Sequence, residues 1–455
     1  MNRTTLLLAA AAVLTLVALV THSPGAPPVP SPAPARVSVA APPLATSPSS
    51  GALSFTAAST HALLSSTGGD AWAVIDVTAR QTTVEAQRVS LAVVVDCSGS
   101  MAGAKMEQAR RAARALVQRL GPDDELSLVA FSEAARAGPL TRMTPSGRTQ
   151  ALEWIDALAP DGSTNISAGL EAGEAALREA SGARRLVLVS DGKATAGDVN
   201  RASLERRALL THGRGATLTA IGVGDDFDPG LMRGLAQAGG GFYGDLRQAE
   251  ALEVVLAQEL ELARRPLARH VRLELRPGAE ATVVAVAGRT LLEDATVSLP
   301  DFGPGATARV LVKLRHFGGS GAATLLQPRL SWTTPAGARE AAEAVVQVSR
   351  SDDPVAVAGS RDEGRYADVA RAFGNEQLVL ASEALERGDR SNALDLLDRA
   401  RSLFGTSADA LAGEAPVIAA TRARWESGRY DAKLETKNAT RKSLKSFGEL
   451  NNYEY

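Results

Sequence analysis

The sequence predicts an α/β fold in which a doubly wound, mostly parallel sheet is inserted in a β-sandwich and followed by a small α-helical region. Three observations support this prediction. Strand-like and helical runs alternate between residues 91 and 262, which is typical of a parallel sheet with helices on both faces. Residues 51–88 and 267–350 instead show β-like segments separated by Gly/Pro turns. Beyond residue 363 the pattern is helical.

The N-terminal segment has the features of an export signal. One arginine precedes an apolar run from Leu6 to Val20, the form of a secretory signal. This run is short for a spanning helix, which needs about 20 residues. A good A-x-A cleavage site is missing and no lipobox cysteine follows, so residues 1–21 are interpreted as a signal peptide or an uncleaved membrane anchor. Either interpretation predicts an exported body in the periplasm, in the cell envelope or in the secreted fraction.

The next segments predict a spacer and the start of a sandwich. Residues 22–50 are rich in Pro, Ala and Ser, a composition that stays extended and does not build a core. Residues 51–88 form the first part of the predicted β-sandwich, and residues 266–350 form the second part. Short alternating segments such as RHVRLELRP and ATARVLVKLRHF are typical of sandwich strands. Because no linker precedes residue 89, we expect residues 89–265 to be inserted between these strands.

The inserted segment places oxygen-bearing side chains where its strands end. The run LAVVVDCSGS at 91–100 predicts a buried strand that ends at Asp96 and is followed by Ser98 and Ser100. In open parallel sheets, ligands bind outside the carboxyl ends of the strands. A carboxylate and two hydroxyls on one tight loop suit a hard divalent cation. Thr164 lies before a helical stretch, and Asp191 ends a second buried strand, LVLVSD.

These five residues, Asp96, Ser98, Ser100, Thr164 and Asp191, resemble the metal-ion-dependent adhesion site of von Willebrand factor type A (VWA) domains. The resemblance implies that Ser98 and Ser100 coordinate Mg²⁺, with Mn²⁺ or Ca²⁺ as alternatives. It also implies that Thr164 acts directly or through water, and that Asp96 and Asp191 mostly orient waters. A metal with few anionic ligands would keep a position open for a partner's carboxylate. Bacterial exported VWA proteins, and relatives of inter-alpha-trypsin inhibitor heavy chains, look similar in their flanking sandwich.

Other candidate sites are weaker. Histidines at 22, 61, 212, 270 and 316 form no HExxH motif or close pair, and zinc hydrolases need His, Cys or Glu ligands; each histidine is expected on the surface or at a strand edge. The cluster Asp225, Asp226 and Asp228 predicts a solvated loop with a helix start at Asp228-Pro229, and a modulating role beside the metal loops is the alternative. No GxSxG elbow appears. Cys97 is expected to be a buried, inert thiol. We therefore predict no enzymatic activity.

The C-terminal part is predicted to be a linker at 351–362, a helical region at 363–428 and a basic tail at 429–455. The run ALERGDRSNALDLL resembles part of a tetratricopeptide hairpin, for which a small helical cap is expected and a protein-docking surface is the alternative. The tail carries Lys433, Lys437, Arg441, Lys442 and Lys445. Their spacing puts several on one helix face, which we expect to be solvated, with a specific anionic site as the alternative.

The composition argues against one class of function, and the motifs above favour another. A net charge of −2 with 22% charged residues argues against a nucleic-acid-binding protein. We expect an exported module that binds a protein partner through a divalent cation, the partner supplying an exposed Asp or Glu. The alternative is a cell-envelope scaffold or assembly factor in which the metal is mainly structural. If residues 1–21 are an anchor, the protein is also attached to the membrane.

Overall fold

The structure is a computed structural model that describes residues 45–46, 51–224, 226–246, 251–292, 294–406 and 410–446. The predicted signal or anchor, nearly all of the predicted spacer, Asp225 and the last part of the basic tail lie outside these residues. No helix within the described ranges is long and apolar enough to cross a membrane.

Among the described residues, the strands before the central domain are β1 Ala45–Thr46, β2 Leu53–Ser59, β3 Leu63–Ser65 and β4 Gly69–Ala79. The strands of the central domain are β5 Val89–Asp96, β6 Glu125–Phe131, β7 Ala135–Ala137, β8 Thr141–Arg142, β9 Ala183–Ser190, β10 Ala216–Val223 and β11 Gly240–Leu246. Its helices are α1 Ala104–Arg119, α2 Pro145–Asp156, α3 Ile166–Ala176, α4 Arg201–Gly213, α5 Pro229–Ala238 and α6 Leu252–Arg264.

The central sheet is mostly parallel. Its strands run in the order β11-β10-β9-β5-β6-β7, and β8 also pairs with β6. Only β7 and β8 are antiparallel to their neighbour. Helices α1, α2 and α6 pack on one face of the sheet, and α3, α4 and α5 pack on the other. Every residue of β5 and β10 is buried, because helices cover both faces. The predicted fold class, a doubly wound α/β sheet, is confirmed.

Strands from before and after the insertion form two further sheets. The later strands are β12 Arg269–Pro277, β13 Ala281–Val286, β14 Thr296–Ser298, β15 Thr307–His316, β16 Ala322–Thr333, β17 Arg339–Glu343 and β18 Val346–Ser351. One sheet has the order β1-β2-β4-β15-β13, and the other has the order β14-β12-β16-β18-β3 with β17 paired to β16. One hydrophobic cluster, including Phe55, Ile75, Leu273 and Leu330, joins residues of both sheets.

Several contacts fix the insert to the sandwich. The Gln87 amide donates a 2.8 Å hydrogen bond to the Arg264 carbonyl, so the entering and leaving chains lie side by side. Arg185 on β9 forms a 2.6 Å ion pair with Asp301, and the two side chains are 3% and 2% exposed. This buried pair links the central sheet to the segment between β14 and β15.

Five helices complete the described chain: α7 Pro354–Gly359, α8 Glu363–Glu386, α9 Arg390–Gly405, α10 Glu414–Glu426 and α11 Ala432–Ser446. Helix α7 lies inside the predicted linker and is capped by Asp353. Helix α8 packs Val369 and Phe373 against Val74 and Leu311 of the first sheet. The prediction of a solvated basic face is wrong at Lys437, which is 3% exposed, because α11 packs along α8 and points this side chain into the protein.

Candidate metal centre

The ends of two adjacent strands hold the two acidic residues of the predicted site. Strands β5 and β9 are parallel neighbours, with Val95 paired to Val189. The next residue on each strand is Asp96 and Ser190, and Ser190 Oγ donates a 2.5 Å hydrogen bond to Asp96 Oδ2. Asp191 follows directly. Both carboxylates therefore lie at the same sheet edge, and both residues are fully buried.

The hydroxyls and one carboxylate form a continuous row of oxygens. Ser98 Oγ lies 3.1 Å from Ser100 Oγ, and Ser100 Oγ donates a 2.8 Å hydrogen bond to Asp191 Oδ1. The Ser98 amide donates to Asp96 Oδ1 at 2.8 Å. Asp96 thus orients the loop, whereas Ser98, Ser100 and Asp191 present adjacent oxygens.

Backbone hydrogen bonds connect the three loops that carry the site. The Asp161 amide donates to the Cys97 carbonyl at 2.6 Å, and the Gly99 amide donates to the Gly162 carbonyl at 3.1 Å. The Thr164 amide donates to Thr195 Oγ1 at 2.9 Å. These bonds hold Thr164 between the loop after β5 and the loop after β9.

The surroundings of Gly192 show that the Thr164 hydroxyl lies near the row of oxygens formed by Ser98, Ser100 and Asp191. A methyl group built on Gly192 would lie 3.2 Å from Thr164 Oγ1 and 3.8 Å from Ser100 Oγ. Both hydroxyls therefore face the same small space. All five predicted residues are brought together at this edge, although only Ser98, Ser100 and Asp191 are linked directly in a row.

This donor set fits Mg²⁺. Its oxygen ligands sit at 2.0–2.1 Å in a near-octahedral shell, so adjacent ligand oxygens are about 3 Å apart. The separations of 3.1 Å and 2.8 Å along the row have this spacing. No three His, Cys, Asp or Glu side chains of the described residues are grouped as metal ligands. The residues that suit a cation here are therefore mainly hydroxyl-bearing.

Lys105 is a charged neighbour that the sequence analysis did not assign to the site. Its Nζ lies 2.5 Å from Asp191 Oδ2. Lys105 is in the first turn of α1, where the helix dipole disfavours a cation. This unfavourable position for a cation is the sequence feature that could have indicated a role for Lys105. The hydrogen bond from Ser190 to Asp96 could not be predicted from the sequence, because it depends on the register between β5 and β9.

Burial changes the electrostatics of the loop. It raises the pKa of the Asp96 carboxyl, and the nearby Asp191 carboxylate raises it further, whereas hydrogen bonds from Ser190 and Ser98 lower it. Burial likewise raises the pKa of the Cys97 thiol to about 11. Cys97 is 5% exposed, so the predicted buried thiol is observed.

The other candidate residues are not part of this row of oxygens. Asp228 caps α5 by accepting a 3.0 Å hydrogen bond from the Leu231 amide, as its N-cap position predicts. The prediction that each histidine lies at the surface or at a strand edge is wrong for His212, which is on helix α4 and is 7% exposed. His316 is also buried, with 4% of its surface exposed. His212 packs against His270 with ring centres 5.1 Å apart. The pKa of His212 is lowered to about 4, and burial is the largest cause, followed by the nearby His270.

Comparison with known proteins identifies the central domain. Residues 90–258 match the von Willebrand factor type A domain family, and the central α/β domain is a VWA domain. Inter-alpha-trypsin inhibitor heavy chain H2 of Sus scrofa is 28% identical over 205 residues, which are 42% of this chain and 21% of that protein. The E3 ubiquitin-protein ligase WAV3 of Arabidopsis thaliana is 34% identical over 129 residues, 27% of this chain and 17% of that protein. This chain therefore spans about a fifth of these relatives.

Two solved structures share the fold over most of the chain. A von Willebrand factor type A protein from Catenulispora acidiphila has a TM-score of 0.63 at 21% identity, covering 82% of this chain and 91% of that one. The ArnB paralog VWA2 from Sulfolobus acidocaldarius has a TM-score of 0.59 at 15% identity, covering 88% and 99%. At these identities the likeness concerns the fold alone.

Proposed function

We propose that this protein is an exported module that binds a protein partner through a divalent cation at the loops after β5 and β9. The observation that carries the proposal is the row of Ser98, Ser100 and Asp191 oxygens at 3.1 Å and 2.8 Å. Thr164 faces the same space from a third loop. The proposal includes export, for which the apolar run before the folded body is the support.

Each side chain has a distinct role in this proposal. The Ser98 and Ser100 hydroxyls would hold Mg²⁺, with Thr164 completing the protein ligands directly or through water. Asp96 is engaged with Ser190 and the Ser98 amide, so its role is to orient the loop. A bound cation with so few anionic ligands supplies an open position that attracts a carboxylate. We therefore expect an exposed Asp or Glu of the partner to be essential, and no chemical reaction to follow.

A structural role for the metal is the alternative, with the protein acting as a cell-envelope scaffold or assembly factor. The three loops are already joined by hydrogen bonds among Cys97, Asp161, Gly162 and Gly99, and by the Thr164 amide. This cross-linking favours the binding role, because the loops have partners that do not depend on a cation. The VWA relatives support a role in protein interaction.

The first test is Mg²⁺ titration by calorimetry. Gly192→Ala would place its methyl group 3.2 Å from Thr164 Oγ1, so it is expected to weaken Mg²⁺ binding at least about tenfold, a difference of about 1.4 kcal/mol. Gly213→Ala is the matched control, because a methyl group there meets no atom of the described residues within 4 Å. Equal affinity for wild type and Gly192→Ala would refute the assignment of the site.

The second test separates binding from structure. Thr164→Ala should weaken capture of the partner more than it lowers stability, since losing one hydroxyl contact costs about 1 kcal/mol. EDTA should abolish capture from the cell envelope while barely moving the unfolding midpoint. Unfolding of the domain in EDTA would favour the structural alternative. A partner that binds equally well in excess EDTA, or without any essential acidic residue, would overturn the proposed function.

A further inference from the structure

Helix α11 buries a lysine at the same edge of the central sheet as the candidate metal centre. Lys437 Nζ donates a hydrogen bond to the carbonyl of Gly224, the residue that follows β10. It also lies 4.8 Å from the centre of the Phe227 ring and 4.0 Å from Asp245 Oδ1. The side chain of Lys437 is 4% exposed. This lysine therefore fixes α11 to the loops of the VWA domain.

Gly224 is also close to Lys105. A methyl group built on Gly224 would lie 3.1 Å from Lys105 Cε and 3.4 Å from Lys105 Nζ. The ammonium group of Lys105 is in turn held by Asp191 at 2.5 Å. Two lysine side chains thus lie near one glycine, and the ammonium group of Lys105 is paired with a carboxylate of the metal centre.

A cleft next to these contacts shows that α11 borders the metal face. Lys193 and Asp228, from the loops at this edge, line a cavity of about 220 Å³ together with Glu383 of α8 and Lys433 of α11. Lys193 is two residues from Asp191. The last described helix is therefore a neighbour of the metal centre in space, although about 240 residues separate them in sequence.

We propose that Lys105 couples the metal centre to helix α11, so that cation binding weakens the docking of this helix. The inference rests on the proposed function, because it needs a cation among Ser98, Ser100 and Asp191. When a divalent cation shares Asp191, Lys105 loses part of its attraction and is repelled by the cation. Such repulsion is strong at short range inside a protein and little screened by salt.

The position of Gly224 gives the direction of the effect. Lys105 lies close to this residue, so when a cation competes for Asp191 the ammonium charge next to Gly224 is less neutralised. The Gly224 carbonyl is the acceptor of Lys437, whose ammonium group then meets a second cation. Docking of α11 is weakened as a result. Because coupling between two sites is reciprocal, loosening the Lys437 contact must strengthen cation binding.

The test uses two methionine substitutions on the same helix. Lys437→Met keeps a long alkyl side chain in the buried position while removing the charge, and is expected to raise Mg²⁺ affinity about 5- to 10-fold, within the usual range of such coupling. Lys433→Met is the matched control: this lysine is exposed, and its variant should bind Mg²⁺ as the wild type does. In a Lys105→Met background, Lys437→Met should no longer change the affinity, since the coupling residue is absent.

Hydrogen exchange of the wild-type protein gives an independent measurement that does not depend on the folding of Lys437→Met. Mg²⁺ at a concentration that half-saturates the wild type should speed amide exchange in α11 and leave α9 unchanged, and at the same concentration Gly192→Ala should show a much smaller effect. If wild type binds no Mg²⁺, both the proposed function and the coupling are refuted. If Mg²⁺ binds but α11 exchange is unchanged and Lys437→Met matches Lys433→Met, the coupling alone is refuted.

Discussion

Replacing Lys105 by methionine should destabilise the metal-free protein and, at the same time, strengthen Mg²⁺ binding. Lys105 and Asp191 are 2.5 Å apart, with side chains 28% and 0% exposed. Breaking a fully buried pair costs about 3–5 kcal/mol because a charge is left alone, whereas an exposed pair contributes about 1 kcal/mol or less. For a buried carboxylate with a partly exposed lysine, we expect a loss of about 2–3 kcal/mol.

A cation at the same place would replace the missing charge. Binding at a free Mg²⁺ concentration 100 times the dissociation constant adds about 2.7 kcal/mol to the free energy of unfolding. Because the wild type gains such a term as well, the deficit of Lys105→Met in EDTA should shrink in saturating Mg²⁺ by the difference in affinity, about 1.4 kcal/mol for each tenfold tighter binding by the variant. Without the competing ammonium group, the variant should also bind Mg²⁺ more tightly than the wild type does.

The assay is urea unfolding of both proteins in EDTA and in saturating Mg²⁺, with calorimetry for the affinity. Lys193→Met is the control, because Lys193 is exposed and lies beside the same loop. It should change stability by less than about 0.5 kcal/mol. The reasoning would be refuted if Lys105→Met were as stable as the wild type in EDTA, or if its affinity for Mg²⁺ fell.

Two further predictions concern the join between the VWA domain and the sandwich. Arg185→Met should lower the free energy of unfolding by about 3–5 kcal/mol, because Asp301 stays buried without its partner. Arg315→Met, which breaks an ion pair whose side chains are 59% and 30% exposed, should cost about 1 kcal/mol or less; similar losses for the two variants in urea unfolding would contradict the argument. His212 has a folded pKa of about 4 against an ordinary value of 6.5, so the unfolded chain binds the proton more readily. The stability that depends on neutral His212 is fully present above pH 6.5. As the pH falls from 6.5 to 4, the free energy of unfolding drops by about 3 kcal/mol in total because of this residue. His212→Gln should remove this part of the acid sensitivity, and a difference in unfolding free energy between wild type and variant that stays constant from pH 7 to pH 4 would rule it out.

The parts of the fold that follow from local patterns could be predicted from the sequence. Alternating strand-like and helical runs predict the doubly wound sheet, and strands ending at Asp96 and Asp191 predict two acidic groups at one sheet edge. Thr164 could be assigned by the VWA resemblance, because its loop lies before a helix as that pattern requires. The first two inferences need only periodicity, the order of elements and the shared edge of parallel strands, whereas the assignment of Thr164 depends on the family resemblance.

The remaining features depend on contacts that no local pattern encodes. The hydrogen bond from Ser190 to Asp96 follows from the register of β5 against β9. Lys437 appeared to belong to a solvated basic face, but the packing of α11 along α8 turns it into the protein. His212 is buried because its helix end meets the second part of the sandwich. Each of these contacts joins segments far apart in sequence.

The side-by-side entry and exit of the inserted VWA domain have a consequence for biosynthesis. Strand β4 ends at Ala79 and pairs with β15, which begins at Thr307, so neither sandwich sheet can be completed until the whole insert has left the ribosome. Closing an unfolded loop of this length costs roughly 4–5 kcal/mol in chain entropy. A VWA domain that folds first brings Gln87 and Arg264 together and removes most of that cost. We therefore expect the VWA domain to fold before the sandwich is completed, so that the earlier and later strands meet where its two ends lie side by side.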